Sequence, residues 1–132
     1  MTLPIIAALT AAFLALMQTF LMVTVGNRRR ASTISFGDGG DADMLRIMRR
    51  HGNFIENAPM VLILLSLLEI LGGNQTVILG LAILFVVTRI SHAVALSSAA
   101  SPVIFRIVGA LGTLISLVGG AGMLAWQASS IM

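Results

Sequence analysis

The chain has 132 residues, of which 58% are hydrophobic and only 10% are charged, and its mean hydropathy is +1.02. These values exclude an ordinary soluble domain and indicate a protein that lies in a membrane. Cysteine is absent, which excludes disulfides and thiolate metal sites. The net charge is +3, but no basic stripe alternates with aromatic residues, so we expect no nucleic-acid partner.

Four stretches are apolar and long enough, at about 20 residues each, to cross the hydrocarbon layer as helices. They predict an all-α, four-helix transmembrane bundle that occupies residues 1–132 as a single domain. The predicted spans are residues 3–25, 54–71, 77–96 and 104–126.

The first stretch differs from a cleaved signal peptide, because MTLP carries no positive charge and the arginines follow the apolar run. We expect it to remain in the mature protein, with at least two of Arg28, Arg29 and Arg30 anchoring it at anionic lipid headgroups. By the positive-inside rule, residues 26–53 are cytoplasmic, which places both termini outside and predicts a bacterial inner-membrane location.

Residues 36–44, FGDGGDADM, predict an irregular turn that ends in a helix N-cap, either Asp41 or Asp43. Helix two then begins near residue 43, before the membrane. A calcium loop is the alternative, but the segment lacks the terminal glutamate of an EF-hand. We expect no metal site.

Helix two carries a polar face at its start. At 100° per residue its polar side chains lie within about 120° of one another, whereas His51 points away. These polar residues are Arg46, Arg49, Arg50, Asn53 and Glu56. The face should point into the bundle or at a neighbouring subunit, because lipid would not tolerate Glu56. Glu69, at the other end of the helix, is expected to be solvated at the interface.

Arg89 lies within the third span at about the depth of Glu56, and helical rise therefore predicts an ion pair between them. His92, one turn nearer the cytoplasm, is either a ligand contact or a partner in the same network. Together with Arg106 these residues predict a cytoplasm-facing pocket, rimmed by the helix-two arginines, for a small anion with several carboxylates.

Small residues at helical spacing in the first and last spans predict close helix contacts, either within the chain or between copies. They are Ala8, Ala11, Ala12 and Ala15 in the first span, and Gly109, Gly112, Thr113, Ser116 and Gly120 in the last.

The run R-x-x-R-x-H-x-N-x-x-E at residues 46–56, followed by Pro59, resembles the MAPEG family of membrane-associated proteins in eicosanoid and glutathione metabolism. The R-x-x-H of Arg89 and His92 belongs to the same pattern, and GDGG and HGNF resemble the small bacterial branch. The resemblance covers nearly the whole chain, from the first span to Trp126.

This resemblance implies a homotrimer that binds glutathione, as co-substrate, between neighbouring subunits near the cytoplasmic face. It assigns Arg46, Arg49, Asn53, Glu56 and His92 to glutathione binding, and Arg106 to the thiol as the catalytic residue. The implied function is a glutathione-dependent transferase or peroxidase that acts on lipophilic electrophiles.

The chain also departs from the family pattern. Leu96 replaces a tyrosine one turn beyond His92, and Ile107 replaces a serine after Arg106. A non-catalytic scaffold that binds an anionic lipid or a small carboxylate is therefore the alternative. A small drug exporter is a third hypothesis, but its design requires a free titrating carboxylate, and Glu56 is expected to be paired.

Overall fold

The computed structural model describes residues 3–132 and contains four α-helices, so the first two residues of MTLP lie outside the described part. All four helices are long and apolar enough to cross a membrane, which confirms the predicted all-α membrane fold. They are α1 (Ile5–Ser32), α2 (Ala42–Ile70), α3 (Gln75–Ala95) and α4 (Val103–Ile131). Two of them extend beyond the predicted spans, because α1 continues through the three arginines and α4 continues past Trp126.

The helices form a bundle in which α2 and α3 occupy the centre and contact each other. Helix α1 packs on one side of this pair and α4 on the other, and α1 and α4 do not touch within the described residues. Phe54, Leu65, Ile78 and Phe85 of the central pair are almost fully buried. The polar side chains of α2 and α3 therefore face either α1 or α4, which divides them between two different grooves.

Local sequence determines where the helices begin and end. Asp41 caps α2 by accepting hydrogen bonds from the backbone N–H groups of Asp43 and Met44, and Asn74 caps α3 in the same way through Thr76 and Val77. Helix α4 begins directly after Pro102.

The loop between α1 and α2 is held by two of the three arginines that follow the first span. Arg28 forms an ion pair with Asp41, and Arg29 donates to the carbonyls of Ile34, Ser35 and Gly37. Arg30 is the only one of the three that is exposed. The expectation that these arginines act mainly as headgroup anchors is therefore wrong for Arg28 and Arg29, because nearby loop oxygens accept their hydrogen bonds.

The aspartates of this loop serve the backbone. Asp38 accepts from the N–H of Gly40, and Asp41 accepts from the start of α2. Within residues 3–132 no group of three or more acidic, histidine or cysteine side chains is arranged to hold a metal ion.

Glu69 is buried, with 1% of its surface exposed, and the expectation that it is solvated is wrong. Its carboxylate accepts hydrogen bonds from the backbone N–H groups of Ile6 at 3.1 Å and Ala7 at 2.7 Å. The first turn of α1 contains no acidic residue and Pro4 provides no side-chain cap, so α2 supplies the negative charge that a helix N-terminus favours.

Helices α3 and α4 approach closely through the small residues of α4. Gly109, Gly112, Thr113, Ser116 and Gly120 are all buried, as the small-residue stripe predicts. A Cβ atom at Gly109 would lie 2.8 Å from the Cβ of His92, and one at Gly112 would overlap the methyl group of Thr88. Glycine is therefore required at both positions.

The alanines at helical spacing in α1, unlike the small residues of α4, are mostly exposed in the subunit. Ala8, Ala12 and Ala15 are exposed, whereas Ala7, Thr10, Leu14 and Leu21 make the contacts with the rest of the subunit. The alanines therefore do not mark the helix contact within the chain, since large side chains on the adjacent face pack against α2 and α3.

Candidate functional site

A cavity at the arginine-rich end of the bundle lies between α2, α3 and α4. It has a volume of about 420 Å³, within the usual range for a small-molecule site. Arg46 and Arg49 line it from α2, His92 from α3 and Arg106 from α4. Four side chains predicted to contact the same ligand thus meet in one space, although they come from three helices.

Two further cavities adjoin this one, and His92 lines all three. One, of about 250 Å³, is lined by Arg49, Asn53 and Glu56. The other, of about 260 Å³, contains Asn57, Arg89 and Thr113 at its polar end and Leu114 and Leu117 of α4 at its apolar end. We refer to the three together as the α2–α4 cleft.

Arg89 is the buried centre of the α2–α4 cleft, with 2% of its surface exposed. Its guanidinium donates to Oδ1 of Asn53 at 2.6 Å and to the carbonyl oxygen of Gly109 at 3.2 Å, and also to the hydroxyl of Thr113. The ring of Phe85 lies beneath the guanidinium at 5.3 Å, within range of a cation–π contact.

The predicted ion pair between Glu56 and Arg89 does not form in the described subunit. Glu56 is exposed, and no ion pair among residues 3–132 involves it. Helical rise places the two residues at similar depth but does not account for the position of α4. The close approach of α4 at Gly109 brings a carbonyl and a hydroxyl to Arg89, and these oxygens take the place of the carboxylate.

Arg46 is partly engaged within the subunit. It donates to the carbonyl oxygen of Leu96 at 2.9 Å and forms an ion pair with Asp43 at 2.7 Å. Arg49 and Arg106 are exposed in the cleft and form no ion pair among the described residues. These two arginines are therefore the most available cations for a ligand.

Arg50 does not belong to the rim of the cleft, contrary to the helical-wheel prediction. Its guanidinium donates to the hydroxyl of Thr24 on α1 at 2.9 Å. Because α1 packs on the side of α2 opposite to α4, a deviation of a few tens of degrees on the wheel sends Arg50 into the other groove.

Two polar residues of the cleft were absent from the sequence-based site. Asn57 donates to the carbonyl oxygen of Asn53, one turn earlier on α2, and Thr113 bonds the carbonyl of Gly109, one turn earlier on α4. Helical spacing from Asn53 is a signal that could have identified Asn57. Thr113 was assigned only to helix packing, since nothing in the sequence indicates that it meets Arg89.

The cleft can bind an anion with an apolar part. Exposed guanidinium groups at one end suit carboxylates, Glu56 suits a cationic amino group, and the leucines of α4 continue the cavity into the hydrophobic layer.

The sequence model of the MAPEG family matches residues 7–126. The chain belongs to the MAPEG family. The resemblance noted from residues 46–56 and from Arg89 and His92 is thereby confirmed for nearly the whole chain. No curated protein and no solved structure gives a significant match to this MAPEG protein.

Members of the MAPEG family are typically trimeric four-helix membrane proteins that use glutathione. Membership in the family supports, in broad terms, a membrane function related to glutathione for this MAPEG protein. With four apolar helices, it is an integral, multi-pass membrane protein.

Proposed function

We propose that the protein is a glutathione-dependent transferase or peroxidase that acts on lipophilic electrophiles in the α2–α4 cleft. The observation that carries the proposal is that Arg49 and Arg106, from different helices, line one cavity of about 420 Å³ together with His92. Glutathione has two carboxylates, one amino group and one thiol, and the cleft offers a complementary group for each of them.

Binding begins with the carboxylates. Arg49 grips one of them through its forked N–H donors, and Arg46, already anchored to Leu96 and Asp43, adds positive charge nearby. Glu56 is free of Arg89 and accepts from the amino group, while Asn53 and His92 contact the peptide part of the ligand. Arg89 holds Asn53 in place and acts as a positioning residue.

Arg106 is the proposed catalytic residue. A thiol has a pKa near 8.5 in water, and a guanidinium beside it favours the thiolate. The thiolate sulfur then forms a bond to the electrophilic carbon of the second substrate, and the leaving group departs with the bonding electrons. With a hydroperoxide, the sulfur attacks the terminal oxygen and the O–O bond breaks, so the alcohol leaves with a proton from water and a glutathione sulfenic acid remains. The thiol of a second glutathione then displaces the hydroxyl group as water and forms the disulfide. No protein nucleophile is needed, which suits a chain without cysteine.

The lipophilic substrate reaches the sulfur from the membrane side of the cleft. Leu114 and Leu117 of α4 line that end, next to Arg89 and Thr113. Holding the two reactants side by side supplies a large part of the rate enhancement, because proximity replaces a bimolecular encounter.

The proposed assembly is a homotrimer in which a neighbouring subunit completes the cleft. Arg49, Glu56 and Arg106 are exposed on the isolated subunit, and the exposed face of α1 carries the small residues Ala8, Ala12 and Ala15 that suit close contact between copies. We place the arginine-rich end in the cytoplasm of a bacterial inner membrane, because six arginines precede or begin α2 and flank the first loop.

Titration calorimetry with glutathione tests the proposal on the detergent-solubilised oligomer. We expect a saturable heat for the native protein and an affinity lowered about tenfold or more in Arg49→Ala, because a charged hydrogen bond contributes about 1.5–3 kcal/mol. Arg30→Ala is the matched control, since Arg30 is exposed outside the cleft and should leave the affinity unchanged. Arg106→Leu should remove the ultraviolet absorbance of the bound thiolate.

A second candidate is a non-catalytic scaffold that binds an anionic lipid or a small carboxylate. Leu96 and Ile107 favour it, because they stand where the family pattern has polar side chains. A folded, oligomeric protein that gives no heat with glutathione would favour this candidate over the transferase.

A further inference from the structure

A second groove lies on the side of the central helices opposite to the α2–α4 cleft, between α1 and α3. It contains two apolar cavities, of about 220 Å³ and about 300 Å³. The first is lined by Leu9 of α1 and Ile83 of α3, and the second by Phe20 and Val94, which lie roughly three turns, or about 16 Å, farther along the same two helices. We refer to the pair as the α1–α3 furrow.

Small side chains on α3 keep the α1–α3 furrow open. Ala82 lines the first cavity and Ala93 lines the second. The two cavities of the furrow therefore follow one another along the bundle axis, both with mainly apolar linings, at a separation that an extended acyl chain spans.

The furrow ends at a single cation. Arg50 lines the second cavity with Ser97, near the end of α3, and the other side chains named there are apolar. Arg50 is four residues before the predicted start of the apolar part of α2, at the level where lipid headgroups meet the hydrocarbon layer.

Arg50 is incompletely satisfied within the subunit. Its Nη2 donates to Thr24, but its Nε is buried and has no hydrogen-bond partner. Among residues 3–132 no carboxylate forms an ion pair with it. A buried donor without an acceptor and a charge without a counterion each lower the stability of the folded protein, and a bound anion would offset this loss.

We propose that the α1–α3 furrow binds an anionic phospholipid, with one acyl chain along α1 and α3 and the phosphate on Arg50. Charge complementarity selects this occupant, because the apolar trough alone would accept any lipid whereas Arg50 and Ser97 favour a negative headgroup. The site is separate from the α2–α4 cleft and does not depend on the function proposed for that cleft.

Native mass spectrometry of the detergent-solubilised oligomer tests the proposal, with phosphatidylglycerol and phosphatidylcholine of identical acyl chains as probes. We expect the native protein to retain phosphatidylglycerol in preference to phosphatidylcholine. Arg50→Gln should lower phosphatidylglycerol binding about fivefold, to the level of phosphatidylcholine, which is the effect expected for one basic residue at a lipid headgroup. Arg30→Gln, which removes the same charge at an exposed position outside the furrow, should leave the preference intact.

A second variant separates the apolar part from the charge. Ala93→Phe fills the trough and leaves Arg50 in place, so it should lower the binding of both lipids. Arg50→Lys keeps the charge and should keep the preference, which provides a folded reference if Arg50→Gln proves unstable. Arg49→Ala should bind phosphatidylglycerol normally even though its affinity for glutathione falls, so that failure of one proposal is distinguishable from failure of the other.

Cross-linking locates the lipid. Phosphatidylglycerol with a photoreactive acyl chain should label peptides from α1 and α3 in the native protein, and much less so in Ala93→Phe. Equal labelling of the exposed face of α4, or an equal loss of lipid in Arg50→Gln and Arg30→Gln, would reduce the effect to general membrane contact and overturn the proposal. An unlabelled furrow, as expected if a second copy of the chain occupied it, would overturn it as well.

Discussion

Arg89 is a charged residue buried in the described bundle, with 2% of its surface exposed. It is a buried cation whose hydrogen-bond acceptors are all neutral: the side chain and the carbonyl of Asn53, the Gly109 carbonyl and the Thr113 hydroxyl. Neutral acceptors compensate for only part of the cost of burying a charge, so each of them is important for folding.

Asn53→Ala should therefore lower the free energy of unfolding by about 2 kcal/mol, because it removes the amide oxygen that lies 2.6 Å from Arg89. Glu56→Gln, three residues farther along α2, should change it by less than about 0.5 kcal/mol, since Glu56 is exposed and unpaired among the described residues. Unfolding in mixed micelles with increasing dodecyl sulfate, followed by circular dichroism, measures both. A larger loss of stability in Glu56→Gln would contradict this prediction and show that Glu56 and Arg89 do form an ion pair.

Asp41 is a residue whose charge is stabilised in the folded protein. The amide of Met44 and the guanidinium of Arg28 both donate to its carboxylate and hold the pKa of Asp41 below its ordinary value of 3.8. A carboxylate whose pKa falls on folding adds stability above its unfolded-state pKa, and this contribution is lost as the pH falls through the folded-state value.

Asp41→Asn should therefore be less stable than the native protein at pH 7 and should lose this difference as the pH falls below about 4. Asparagine is an equally good N-cap, so the substitution removes the charge and retains the cap. Arg28→Gln should reduce the same acid-sensitive difference. The measurement is the unfolding transition of the three proteins across this pH range. A constant difference between Asp41→Asn and the native protein at every pH would show that the charge has no part in it.

At the scale of helices, α3 and α4 make the closest contact at any glycine of the described bundle, as measured by the distance from an added Cβ atom to its nearest neighbour. A Cβ at Gly112 would overlap the methyl group of Thr88, whose hydroxyl is fixed by a hydrogen bond to the carbonyl of Phe85. Since Thr88 cannot rotate without losing that bond, a larger residue at Gly112 must push the helices apart. That movement would also displace Gly109 and Thr113 from Arg89.

Gly112→Ala should consequently destabilise the protein by about 1–3 kcal/mol, the usual cost of overpacking. Gly122→Ala is the matched control in the same helix, because nothing lies within 4 Å of a Cβ at Gly122. It should be neutral or slightly stabilising, since alanine favours helix over glycine. Thr88→Ser removes the obstructing methyl group and should restore part of the stability of Gly112→Ala. Equal effects of the two alanine substitutions would refute the close-packing argument.

At the scale of the whole molecule, the sequence predicted the elements better than their contacts. Length and hydropathy gave the four helices, and the 3.6-residue period gathered Arg46, Arg49, Asn53 and Glu56 at one end of α2. Those features depend on local sequence or on the membrane thickness, and both can be read from a single chain.

The misassigned contacts depend on how the helices are arranged around the bundle axis. The partner of Arg89 could not be identified without the register of α4, and the side of Arg50 could not be assigned without knowing that α1 and α4 flank α2 and α3 from opposite sides. Glu69 was misplaced for a related reason. Its partners are the backbone N–H groups of Ile6 and Ala7, and nothing in the side-chain sequence indicates that these two donors need an acceptor from another helix.

The Glu69 contact has a consequence for biosynthesis. When α1 first emerges from the ribosome, the amides of Ile6 and Ala7 have no cap, because the carboxylate that accepts from them is 62 and 63 residues downstream. If α1 inserts alone, water or lipid headgroups must accept hydrogen bonds from these two amides until the C-terminal end of α2 has been translated. Helices α1 and α2 thus reach their final state as a hairpin, because the N-terminus of α1 is capped only once the end of α2 that carries Glu69 has crossed the membrane.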